Sequence, residues 1–211
     1  MKDIVIIGGG GHAKVILGML KDENGWNVLG YTDFEHHTNS LPIKYLGTDE
    51  ILSELIKEFP ECNAVLGIGI ISPKDNQKRK NIYKNLKQHG YKFPVIKSKQ
   101  AILQNDCKIS DGTVIMAGAV IQPSVKIGKL AIINTNASVD HDCTIGDSVH
   151  IAPGVTVSGD VIIGKESFIG AGASIVQSVN LADECIIGAG AVVTKSITMP
   201  GKYVGVPAKL M

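Results

Sequence analysis

Three consecutive residues, Asp140, His141 and Asp142, could do acid–base chemistry. A histidine flanked by two carboxylates can have its imidazolium stabilised and its tautomer fixed, which is what a general base needs. The same triplet also reads as a solvated surface run, and residue types alone leave both readings open. A second histidine, His150, follows in the same half of the chain; the others are His12, His36, His37 and His89. Near the start, the run Gly8-Gly9-Gly10-Gly11-His12-Ala13 matches the pattern GxGxxA, with Asp33 downstream. Bare backbone at a helix N-terminus can approach a pyrophosphate. Alone, that motif suggests a dinucleotide cofactor. The domain is short for a full dinucleotide fold, and nothing resembling a redox site follows it. Half of such a fold, holding one nucleoside diphosphate, fits better.

The elements that must position these residues are of two kinds. From Ile109 onward an aliphatic branched residue recurs every six positions through Val193, and Leu103 extends the series backwards. Four residues beyond each stands a small one: Cys107, Thr113, Ala119, Val125 and so on to Cys185 and Ala191. Neither a helical period of 3.6 nor strand alternation of 2 enforces this. The spacing predicts a prism of short flat strands, the large residue filling the interior and the small one fitting where the walls converge. Gly128, Gly146, Gly164, Gly170 and Gly188 are expected to turn the corners at low steric cost. The stacked coils then pair in parallel. Three of the four cysteines, Cys107, Cys143 and Cys185, fall on the small inward site and read as core thiols.

The first third has another rhythm. Strands are expected at Asp3–Ile7, Val28–Tyr31 and Ala64–Ile68. Helices are expected over 13–21 (Val15, Met19 and Leu20 on one side), over 48–58 with a cap at Thr48 and Asp49 and Glu50 in the first turn, and over 74–88. Strands alternating with helices imply a small parallel sheet. The expected division is an α/β domain with the nucleotide site over 1–94, the six-residue repeats over 103–198 and a C-terminal tail over 199–211.

Composition narrows the partners. With 211 residues, 44% hydrophobic and 19% charged, the chain can bury a core without disulfides. A net charge of +1 argues against a general phosphate-backbone binder, and 5% aromatics against a nucleic-acid stacking platform. Lys78, Arg79 and Lys80 read as a solvated helix face. The opening apolar run Ile4–Ile7 is too short for a signal segment or a membrane span, so a cytoplasmic protein with reduced thiols is expected. No cysteine pair has metal-ligand spacing, and no metal is expected.

The GGGGH opening, the unbroken hexapeptides, Asn134-Thr135 followed by Asp-His-Asp-Cys, and the ending Gly205-Val206-Pro207-Ala208-Lys209 together resemble the NeuD/PglD family. This family comprises sialic-acid O-acetyltransferases and nucleotide-linked 4-amino-sugar N-acetyltransferases. The resemblance spans essentially the whole chain. It implies a half-Rossmann-like α/β domain followed by a left-handed parallel β-helix with 18-residue coils, acting as an acetyl-CoA-dependent transferase. By it, residues 1–94 would be a nucleotide-sugar domain, 103–198 the β-helix and 199–211 a tail bordering the coenzyme. By that resemblance His141 would be the base toward the amine of a 4-amino-4,6-dideoxy sugar, expected to be UDP-linked. Asp142, or else Asp140, would orient it. Gly159, one coil further, would offer its N–H to the thioester carbonyl. His150, Gly159, Gly205 and Pro207 would meet acetyl-CoA. Gly9, Gly10, Gly11 and His12 would touch the nucleotide-sugar, and Asp33 its nucleoside. The active site would lie between subunits of a homotrimer. One departure is visible: family members often carry His-Pro-Ser where the β-helix begins, and here Ile96-Lys97-Ser98-Lys99 stands there. Alternatives are O-acetylation of a sialic-acid hydroxyl and a non-enzymatic nucleotide-sugar binder. A zinc carbonic anhydrase on the same kind of helix would need three histidine ligands, and the repeats hold two.

Overall fold

Apolar runs separated by glycine and by helical stretches build a four-stranded parallel sheet at the start of the chain. In this computed structural model, which describes residues 1–36, 41–70 and 72–211, the strands are β1 (Lys2–Ile7), β2 (Trp26–Thr32), β3 (Tyr45–Gly47) and β4 (Asn63–Leu66), in the order β3-β2-β1-β4. Helices α1 (Gly11–Asp22) and α2 (Leu52–Glu58) lie in the crossovers from β1 to β2 and from β3 to β4, and α3 (Pro73–Gln88) follows β4. Ile4, Val5, Ile6 and Ile7 are all buried, because a central parallel strand is covered on both faces. The strand β3 lies in a stretch with no alternating apolar signal, and sequence reading missed it.

Helix α1 buries Ala13, Ile16, Leu17 and Leu20, an i, i+3, i+4, i+7 stripe. Val15, expected on the buried side, is 45% exposed; it lies off that stripe. The stretch expected as one capped helix over 48–58 is a 3-10 turn (Asp49–Ile51) leading into α2. Thr48 makes no capping hydrogen bond, and the Asp49 carboxylate turns instead to accept from the Thr32 hydroxyl at 2.5 Å. Arg79, expected on a solvated face with Lys78 and Lys80, is fully buried: its guanidinium donates to the Ile68 carbonyl. Burial lowers its pKa to about 10, against the opposing pull of Asp75.

The chain divides into two compact units, Met1–Ile96 and Lys97–Met211. In the second, two-residue strands stack into three parallel sheets, each residue pairing with the one 18 positions on: Lys126 with Thr144, Ile132 with His150, Ser138 with Thr156. This is a triangular β-helix. The aliphatic series from Ile115 to Val193 and the small series from Thr113 to Ala191 are buried along its length. Leu103, Cys107 and Ile109, on the first rungs, are half-buried, since their strands have a stacked neighbour on one side only. After the last coil, Gly201–Val204 pairs in parallel with Cys185–Ile187, and Lys209–Leu210 folds back antiparallel.

The corners correct the sequence reading. The left-handed residue at each corner is Gly112, Gly118, Ser124, Leu130, Asn136, Asp142, Ser148, Gly154, Asp160, Glu166, Gly172, Ser178, Glu184 or Gly190, again every six residues. Gly128, Gly146, Gly164, Gly170 and Gly188 have no positive φ. They are small for another reason: the next coil passes directly over them. A Cβ on Gly146 would lie 2.7 Å from Lys165 N.

Candidate active site

His141 and Asp142 occupy one such corner, between the strands Ser138–Val139 and Thr144–Ile145. The φ of +61° at Asp142 turns the chain and sets its carboxylate beside the preceding imidazole. His141 Nδ1 and Asp142 Oδ2 are 2.8 Å apart. The Asp140 carboxylate accepts instead from the His141 main-chain N–H, at 2.7 Å. The two acids therefore differ: Asp142 meets the ring, Asp140 the backbone. The imidazole pKa is raised above the usual 6.5, chiefly by the Asp142 hydrogen bond, against desolvation, with Asp140, Asp142 and Asp160 adding charge attraction. His141 and Asp142 are both well exposed, with side chains 49% and 61% accessible.

One coil up, Gly159 lies against the same ring. A Cβ there would come within 2.6 Å of His141 Cε1 and Nε2, so only glycine leaves room for this orientation. Among the described residues no acceptor takes the Gly159 N–H. With Nδ1–H given to Asp142, Nε2 keeps its lone pair at the Gly159 edge, where it can accept a proton. Below this corner a cleft of about 410 Å³ is lined by Asp106, Lys108, Ser124, Lys126 and Asp142. Lys108 and Lys126 pair one coil apart beside the dyad; their common phase, 18 residues apart, was the signal for them.

His150 stands elsewhere. It begins the strand His150–Ile151, on a face separated from the His141 corner by Thr144–Ile145 and a further corner. Though on an outward position, it is buried, with Nε2 3.1 Å from Asn134 Nδ2 and its ring edge-on to Phe168 at 5.2 Å. Gly205 and Pro207 lie in the turn between the last two strands; Gly205 has φ +96°, and Pro207 lines a cleft of about 420 Å³ with Thr194–Thr198. Cys143 points inward and donates to the Ser158 carbonyl; burial pushes its thiol pKa up, so it is a poor nucleophile.

In the first unit a cavity of about 770 Å³ opens at the C-terminal ends of the strands. That is where open parallel sheets bind ligands. The loop after β1 contributes Gly8–Gly11 and His12, the end of β2 Asp33 and Phe34, the segment after β3 Thr48, Asp49 and Glu50, and the segment after β4 Gly67–Gly69. Gly8 has φ +97°, which turns the chain into α1. Nothing stands within 4 Å of where a Cβ on Gly10 or Gly11 would be, and α1 has no side-chain cap. The bare backbone at this helix N-terminus is therefore approachable by an anion. Gly9 is placed differently: its N–H donates to Asp33 Oδ2 at 2.7 Å. Asp33, read as a nucleoside contact, thus also ties the glycine loop. Asp49, Glu50, Asp75 and Lys78, which sequence reading did not assign to a site, line the same cavity. Arg79 supports its wall through Ile68.

Among the described residues no three His, Cys, Asp or Glu side chains converge on a possible metal position, all four cysteines are free, and no helix is long and apolar enough to cross a membrane.

Comparison with known proteins follows the same division. Residues 3–86 match the PglD N-terminal domain, residues 106–141 the bacterial transferase hexapeptide (six repeats), and residues 160–195 the hexapeptide repeat of succinyl-transferase. A UDP-N-acetylbacillosamine N-acetyltransferase from Bacillus subtilis is 32% identical over 118 residues, 56% of this chain and 52% of that protein, so the match spans about half the relative's length. Solved structures align over the full chain. The acetyltransferase domain of PglB from Neisseria gonorrhoeae, in complex with acetyl coenzyme A, is 31% identical with a TM-score of 0.91, covering 100% of this chain and 99% of that one. A mutant perosamine N-acetyltransferase from Caulobacter crescentus, in complex with CoA and GDP-perosamine, is 32% identical with a TM-score of 0.92, covering 100% and 97%. An N-terminal α/β domain followed by a left-handed hexapeptide β-helix is the fold these comparisons support, and this chain belongs to the NeuD/PglD family of hexapeptide-repeat acyltransferases.

Proposed function

We propose that this protein transfers an acetyl group from acetyl-CoA to the amino group of a nucleotide-linked 4-amino-4,6-dideoxy sugar, with His141 as general base. The observation that carries the reading is the His141 ring, fixed at Nδ1 by Asp142 and laid over bare backbone at Gly159. The full-length likeness to a protein crystallised with CoA and GDP-perosamine supports the donor and the class of acceptor. That complex was obtained with a mutant in which a histidine is replaced by asparagine.

Acetyl-CoA supplies the thioester. The sugar amine attacks its carbonyl carbon as His141 Nε2 takes the proton from nitrogen. Asp142 holds the imidazolium that forms. The Gly159 N–H is the donor to the oxygen as it gains charge. When the carbon–sulfur bond breaks, the imidazolium returns the proton to sulfur, giving amide and free thiol with no acyl-enzyme.

His150, Gly205 and Pro207 are the residues proposed to hold the coenzyme. The different faces of His150 and His141 support a site that takes its two histidines from neighbouring copies, in a homotrimer. In the other unit, Gly9, Gly10, Gly11 and His12 hold the nucleotide-sugar with Asp33. The free thiols fit the reducing cytoplasm.

The test is thiol release from acetyl-CoA with UDP-, GDP- and dTDP-linked 4-amino sugars and with sialic acid, alongside the mass in solution. Turnover with one amino sugar by a species near three times 22.4 kDa is expected. Turnover with sialic acid alone, or with none, contradicts the proposal.

A further inference from the structure

We propose that Phe34 is the stacking platform for the nucleobase of the nucleotide-sugar. This rests on the nucleotide reading of the N-terminal cavity and names how that cavity grips the base. The chain has ten aromatic residues, four Phe, one Trp and five Tyr. Nine are buried or half-buried, and Phe34 alone is exposed, at 86%. Single exposed apolar residues are ordinary on a convex surface. This one lines the 770 Å³ cavity instead, and no other ring packs on it among the described residues.

Its position is fixed by the backbone. Asp33 accepts the Phe34 N–H on Oδ1 and the Gly9 N–H on Oδ2, each at 2.7 Å. One carboxylate therefore ties the aromatic residue to the glycine loop.

The sheet order gives the ligand a direction. With strands ordered β3-β2-β1-β4, the open N–H groups of Gly10 and Gly11 follow β1, Phe34 follows β2, and Asp49 and Glu50 follow β3. Phosphates are drawn to the helix N-terminus and repelled by the carboxylates. A nucleoside diphosphate laid across these ends puts its phosphates after β1 and its base over β2 and β3. Phe34 lies beneath that base, and Asp49 and Glu50 can accept from the N–H groups on its edge.

Calorimetric titration of the full-length protein tests this, using UDP, GDP and inorganic pyrophosphate as probes on the wild type, Phe34→Ala and Phe34→Trp. Base–aromatic stacking is worth enough that Phe34→Ala should weaken the better-bound nucleoside diphosphate by roughly five- to a hundredfold. Pyrophosphate binding should stay unchanged, and Phe34→Trp should bind nucleotide as tightly as the wild type or more so. The exposed position leaves folding unaffected, which a thermal melt checks. If Phe34→Ala binds the nucleotide like the wild type, or loses pyrophosphate equally, stacking is overturned while the nucleotide reading stands. If the wild type binds no nucleoside diphosphate, the reading of the cavity fails and the platform with it.

Discussion

At the scale of single residues, the two acids flanking His141 are not equivalent, and this can be measured. The reaction needs the neutral imidazole, so kcat/KM falls as pH drops through the imidazole pKa. Asp142 is the chief reason that pKa is raised above 6.5. Replacing it by Asn therefore moves the acidic limb of the pH–rate profile to lower pH, while the plateau falls because the tautomer is no longer fixed. Asp140→Asn moves the limb less, since that carboxylate bonds the backbone N–H and acts on the ring only through space. Equal shifts would contradict the assignment. The triplet was legible as residue types, and Gly159 as the residue one coil above it. The division of labour between the acids was not, because it depends on the left-handed backbone at Asp142. Asp33 shows the same limit: its type and place suggested a nucleoside contact, and the carboxylate also bonds Gly9 within the protein.

At the scale of elements, the hexapeptide period specified the prism and its inward faces, and the family resemblance implied the 18-residue coil. The period did not say which residues turn the corners. Stacking wants glycine where coils touch, at Gly146 for example, whereas the left-handed corners accept non-glycine residues as well as glycine, as at Glu184 with φ +59°. Gly146→Ala forces a methyl group against Lys165 and should cost about 1–3 kcal/mol of stability. Glu184→Gly removes a strained side chain at an exposed corner and should change stability by less than about 0.5 kcal/mol. Denaturant unfolding checks both, and the reverse order would refute this account of the glycines. In the first unit, β3 escaped notice because three half-buried residues carry no periodic signal. Arg79 was misread because a charged residue inside a polar helix looks solvated until the carbonyl it meets, Ile68, is placed.

At the scale of the molecule, the proposed reaction assigns the nucleotide-sugar to one unit and the base to the other. The α/β unit offers bare glycine backbone at a helix N-terminus in a cavity of about 770 Å³, and the β-helix offers an oriented imidazole at a corner. Family and fold were readable because both signatures are long and local, a glycine turn between strand and helix and fifteen evenly spaced aliphatics. The second histidine was harder, since its burial beside Asn134 and Phe168 depends on neighbouring coils. The account stands or falls on the His141 imidazole as the base. The decisive measurement is steady-state turnover of His141→Ala with the accepted amino sugar, alongside its thermal melt. General-base catalysis is worth about 10² to 10⁴ in rate, so kcat should fall at least about a hundredfold with the melting temperature unchanged. Turnover within a few-fold of the wild type would show that another group removes the proton.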